Sequence, residues 1–82
     1  MVDQSDETIS ETIDMTGYFC PEPVIRVSEA ISDIEVGEVL ELLADDPSSK
    51  PDMQSWTKRT GHELISIEED GGVVRFLLRR TA

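Results

Sequence analysis

The only cysteine of the chain, Cys20, stands in Gly17-Tyr18-Phe19-Cys20-Pro21-Glu22-Pro23, between a glycine and two prolines, where a helical apolar period begins. A helix N-terminus carries partial positive charge from unpaired backbone N–H groups and stabilises an anion placed there. A thiolate in that setting has a lowered pKa and attacks electrophilic sulfur more readily. Pro21 fixes its own φ and biases Cys20 away from helical angles, so Pro21 and Pro23 shape the site and hold the thiol at the tip of the element. Glu22 opposes thiolate formation if its carboxylate lies close, and Arg26 is six residues on, too far along the helix to be assumed a partner. The expectation is therefore a modest activation of a thiol near the N-cap. A lone cysteine is by default a small, buried, inert residue; the Cys-Pro-x-Pro setting weighs against that default.

One thiol limits the chemistry. A dithiol oxidoreductase needs a second cysteine to resolve a mixed disulfide. A papain-like hydrolase needs a base within reach and an oxyanion hole, and His62, the only histidine, falls between the second helix and the third strand, where it reads as a surface or edge residue. One cysteine and one histidine do not make a metal site unless carboxylates complete it, so neither metal nor cofactor is expected. What remains is chemistry for which one sulfur suffices: taking up a sulfur atom as a persulfide and passing it on. Asp14 reads as closing a turn and Gly17 as supplying a positive φ. Asp45 and Asp46, beside Pro47 and two serines, read as a turn and a helix cap rather than as paired acid and base.

The elements that must position these residues follow from periodicity. Apart from Glu11, the odd positions Ile9, Ile13 and Met15 keep an apolar period of two, which predicts a strand over about 8–15. Val24, Val27, Ile31 and Ile34 make one face of a helix that runs toward Gly37, with Pro21 in its first turn. "EVLELLAD" (38–45) is apolar on both phases of its alternation and reads as a central strand. A second helix over about 50–60 buries Met53 and Trp56 and stops at Gly61, with Ser49 and Asp52 resembling a capping box. "HELISIEE" (62–69) and "VVRFLLRR" (73–80) flank Asp70-Gly71-Gly72, a hairpin turn sequence. The fold class expected is α+β: a two-layer α/β sandwich in the order β-α-β-α-β-β, a four-stranded mixed sheet with two helices on one face.

Composition bounds the rest. With 82 residues, the expectation is one domain over 8–82 behind a frayed acidic stretch at 1–7. No apolar run approaches the roughly 18 residues of a membrane span, and the polar, acidic start is not a signal peptide. A single cysteine without an export signal points to the cytoplasm. Seven basic against 18 acidic residues give a net charge of −11, which argues against direct nucleic-acid binding, since that needs a cationic footprint. An acidic, lysine-poor surface also suits a host with high internal salt. Arg75, Arg79 and Arg80 form the only basic cluster; they either offset acidic neighbours or dock an acidic partner.

The run Asp14-x-x-Gly17-x-x-Cys20-Pro21-x-Pro23 resembles the signature of the TusA/SirA/YedF family of small sulfur-transfer proteins. The resemblance continues through Gly37, "ADDP" (44–47), Asp52, Trp56 and "GHEL" (61–64) to the basic end of the last strand, roughly residues 9–80. It implies a sandwich like the C-terminal domain of translation initiation factor 3. It also implies a persulfide on Cys20 loaded by a pyridoxal-phosphate cysteine desulfurase, and delivery to tRNA 2-thiolation, molybdenum-cofactor synthesis or another acceptor. The pair Tyr18-Phe19 departs from the family, many of whose members carry an aliphatic residue after the glycine. We expect a monomer with no cofactor of its own. A non-catalytic interaction module on the same fold, or a selenium-handling relative, would use the same residues.

Overall fold

The computed structural model describes residues 8–82, so the expected frayed stretch at 1–7 lies outside the described residues. The chain runs β1 (Ile9–Asp14), α1 (Glu22–Ala30), β2 (Val39–Ala44), α2 (Ser49–Thr60), β3 (Glu63–Asp70) and β4 (Val73–Arg79). The four strands form one sheet in the order β1-β2-β4-β3, with β1 parallel to β2 and the other two pairs antiparallel. This is the expected mixed sheet. The parallel pair is joined by α1, as a parallel pair needs a crossover.

Alternation along the strands builds the core. Leu40, Leu42 and Ala44 of β2 and Val74, Phe76 and Leu78 of β4 are buried together with Val27, Ala30, Ile31, Ile34, Met53 and Trp56 from the helical segments. Both helices therefore cover one face. Each fully buried large apolar side chain contributes about 1.5–3 kcal/mol. The other face carries ion pairs: Arg75 bridges Glu41 and Glu68, and Arg79 meets Glu63 at 3.0 Å. Arg80 donates to the carbonyls of Ile34 (2.6 Å) and Ala82 (2.8 Å). Within the chain, then, the three C-terminal arginines tie down neighbouring carboxylates and carbonyls.

The alternation along β1 holds, with Ile9, Glu11 and Ile13 less exposed than their neighbours, although the pairing with β2 slips by one residue between Ile9 and Glu11. Two expectations about the elements need correction. Helix α1 ends at Ala30, not near Ile34. Ser32 and Asp33 donate to carbonyls three residues back, at 3.2 and 2.9 Å, so the last turn tightens while Ile31 and Ile34 stay buried. Ser48, not Ser49, is the α2 N-cap. Ser49 is already helical and turned inward, its Oγ buried without a partner, so no capping box forms. The stop at Gly61 is as expected, with a φ of 87° in the left-handed region. So is the β3–β4 turn, where Gly71 and Gly72 take φ of 60° and 87°, as a type I′ hairpin requires.

Candidate functional site

Because β1 and β2 are parallel, their carboxyl ends lie side by side, and the loops that leave them meet. The ladder continues past β1, Met15 N–H donating to the Leu43 carbonyl at 2.8 Å. Asp14 then closes a turn: its Oδ1 accepts from the Thr16 N–H (3.0 Å) and hydroxyl (2.6 Å), bonds that hold its carboxyl below the usual range. Gly17 adopts a φ of 88°. Two adjacent carboxylates from the end of β2 reach back across the gap. Asp45 accepts from the Gly17 N–H at 3.0 Å and Asp46 from the Cys20 N–H at 2.7 Å. Asp46 also accepts from the Ser48 N–H and hydroxyl. The Cys20 amide, followed by the Ser48 amide, pulls the Asp46 carboxyl down. Asp46 thus starts the turn expected of it, but together with Asp45 it also fastens the cysteine loop. The sequence shows both residues; only the strand pairing shows what they reach.

Cys20 is exposed, so the inert buried reading fails. It lies one residue before the helix cap. Pro21 is the N-cap, Glu22 opens α1, and Pro23 is buried in the first turn. The Cys20–Pro21 peptide is cis. The thiol opens onto a cleft of ≈ 210 Å³ lined by Cys20, Pro21, Val24, Asp52, Ser55 and Arg59. Here the expected activation is overturned. The neighbouring Asp52 carboxylate, acting as hydrogen-bond acceptor, pushes the thiol pKa up; desolvation and the charges of Asp52 and Asp46 add to this, while the Ser48 hydroxyl opposes it. Full negative charges beside the sulfur outweigh the partial charge of a helix end. Arg26 is engaged elsewhere, with Glu11 and Glu29 at 3.8 Å each.

The remaining sequence candidates separate clearly. Tyr18 and Phe19 are 49% and 73% exposed, immediately before the thiol. His62 lies past the far end of α2, outside the cleft. Its ring stacks on Trp56 with centroids 5.4 Å apart, and its Nδ1 accepts from the Thr81 N–H at 3.1 Å. It is not placed to act as a base for Cys20. No group of His, Cys, Asp and Glu among the described residues could hold a metal ion. Asp52, Ser55 and Arg59 are the polar cleft residues that sequence reasoning did not assign to the site. Their spacing of three and four residues along one side of α2 was the available signal.

The fold and the sequence have counterparts in known proteins. The crystal structure of a SirA-like protein from Desulfitobacterium hafniense superposes with a TM-score of 0.76 at 32% identity, covering 88% of this chain and 99% of that one. A protein of Archaeoglobus fulgidus, whose name gives sulfur carriage as its proposed role, is 43% identical over 68 residues, 82% of this chain and 88% of its own length. The sulfur carrier protein TusA of Allochromatium vinosum is 34% identical over 71 residues, 87% of this chain and 93% of its own. The profile described as sulfurtransferase TusA spans residues 11–80. With residues 11–80 matched, a range that contains Cys20 and nearly the whole folded length, the chain belongs to the sulfurtransferase TusA family.

Proposed function

We propose that the protein is a cytoplasmic sulfur carrier that takes a sulfur atom onto Cys20 from a cysteine desulfurase and passes it to a downstream acceptor protein. The observation that carries this reading is the exposed thiol in a fastened loop beside an open cleft, in a chain of this family. Cys20 is the reacting group. Asp14, Gly17, Pro21, Glu22 and Pro23 shape the loop around it. The carrier needs no resident cofactor, because sulfur arrives already in the persulfide state. The acceptors that fit are those of tRNA thiolation, molybdenum-cofactor synthesis or related sulfur metabolism. Delivery to RNA goes through a protein intermediary, since a net charge of −11 repels a polyanion. The exposed Tyr18 and Phe19 give donor and acceptor an apolar landing place next to the sulfur.

Incubation with a cysteine desulfurase and cysteine tests the proposal. Mass spectrometry should find one extra sulfur atom on Cys20 and none on Cys20→Ser. The variant should keep its fold, because substitution at an exposed site shifts stability by only about 0.5 kcal/mol. An unloaded wild type, or a persulfide found on the serine variant, would sink the mechanism and leave a non-catalytic interaction module.

A further inference from the structure

The cleft beside Cys20 is electrostatically two-ended. Asp52, Ser55 and Arg59 all line it, and their spacing of three and four residues places them along one side of α2. Asp52 sits at the thiol. Arg59 lies seven residues further, about 10 Å along the axis, and helix side chains lean toward the N-terminus, back toward the thiol. Arg26, Arg75, Arg79 and Arg80 are all engaged in ion pairs or hydrogen bonds. Arg59 has no ion-pair or side-chain hydrogen-bond partner among the described residues, although the chain carries 18 acidic residues. It is a cation left available at the rim of the cleft that holds the only sulfur nucleophile.

We propose, building on the carrier role of Cys20, that Arg59 binds the terminal anionic sulfur of the Cys20 persulfide. A sulfur–sulfur bond of about 2.05 Å carries the terminal sulfur out of the shadow of Asp52 and into the cleft. In the loading step the Cys20 sulfur gives up its proton and attacks the terminal sulfur of the donor persulfide. The new Sγ–S bond forms as the donor S–S bond breaks, and the bonding pair leaves on the donor's inner sulfur, which takes up the proton. The transferred sulfur keeps its oxidation level and its charge, so no oxidant or reductant is consumed. The charged and polar groups around the sulfur are Asp46 and Ser48 from the connection after β2, and Asp52, Ser55 and Arg59 from α2. Asp52 and Asp46 favour the proton on the empty carrier. Arg59 favours the charge on the loaded one. The cleft thus distinguishes a carrier with cargo from one without.

The test loads Cys20 chemically with inorganic polysulfide, removes the excess, and follows the near-ultraviolet absorbance of the persulfide anion against pH. Arg59→Ala should raise the persulfide midpoint by roughly half a unit, the size expected of a partly exposed charge pair. Arg59→Lys should stay near the wild type. The empty thiol, followed by the pH dependence of its alkylation, should be unmoved by either change, because Arg59 is not among the groups that shift it. Circular dichroism checks that the exposed substitution leaves the fold in place. Equal persulfide midpoints in wild type and Arg59→Ala, or equal shifts of thiol and persulfide, would overturn the assignment. Chemical loading needs no desulfurase, so this result stands apart from the enzymatic loading that tests the carrier role itself.

Discussion

With Asp52 for a neighbour, Cys20 keeps its proton at neutral pH more firmly than a free cysteine does. A resting carrier in that state resists adventitious alkylation and oxidation, because the thiolate is the reactive form. Removing the charge should release it. Asp52→Asn is expected to speed iodoacetamide alkylation of Cys20 at neutral pH by about three- to ten-fold, since thiolate abundance below the pKa changes tenfold per unit. An unchanged rate would take control of the thiol away from Asp52. The position of the thiol was legible in the sequence, because Cys-Pro-x-Pro before an apolar helical period has few other readings. Its proton affinity was not. The side of α2 that faces Cys20 depends on how deeply Met53 and Trp56 seat in the core, a rotation fixed by packing and not by any local pattern.

Two short connections, not the regular elements themselves, fasten the loop. Asp45 and Asp46 lie 28 and 26 residues from the amides they hold. The link exists because Asp14 and Leu43 are partners in the parallel register. Element order and most boundaries were readable from apolar period and turn residues. The contact between two loop ends was not, because strand adjacency is a tertiary fact. Asp46→Ala removes acceptors from the Cys20 and Ser48 amides, and should slow sulfur loading more than it lowers the melting temperature. Asp46→Asn keeps an acceptor oxygen and should recover part of the rate. Equal losses in both properties would mean that Asp46 serves only the fold. Between the helices, Trp56 Nε1 donates to the Ser28 hydroxyl at 3.0 Å. Trp56→Phe should cost about 1 kcal/mol in chemical denaturation for the lost bond alone.

The molecule as a whole carries a net charge of −11 on 82 residues. Self-repulsion opposes the compact state, and salt screens it. The melting temperature should rise from low ionic strength to molar potassium chloride; a flat or falling series would leave the acidity without a consequence for stability. Acid acts in two stages. Burial, helped by the Arg80 charge, holds the His62 pKa below its ordinary 6.5. Its neutral form therefore supports the fold above pH 6.5, and that support is lost as pH falls from 6.5 through the lowered value. Asp14 and Asp46, also lowered from 3.8, contribute stability above that pH that disappears on further acidification. Melts across a pH series should decline first below 6.5, and His62→Gln should remove that first decline. The basic C-terminal cluster, engaged within the fold, adds little attraction for nucleic acid, so tRNA titrations at physiological salt should show binding weaker than micromolar.

The stack of Trp56 on His62 makes the protein its own optical probe. The chain has one tryptophan and one histidine, and their rings lie face to face at 5.4 Å. An imidazolium quenches excited indole far better than neutral imidazole does. Emission from the unlabelled protein should therefore dim as pH falls through the His62 transition, and His62→Gln should abolish the dimming. The same indole is hydrogen-bonded to α1 and rooted in α2, so its emission wavelength should also register any partner that shifts one helix against the other.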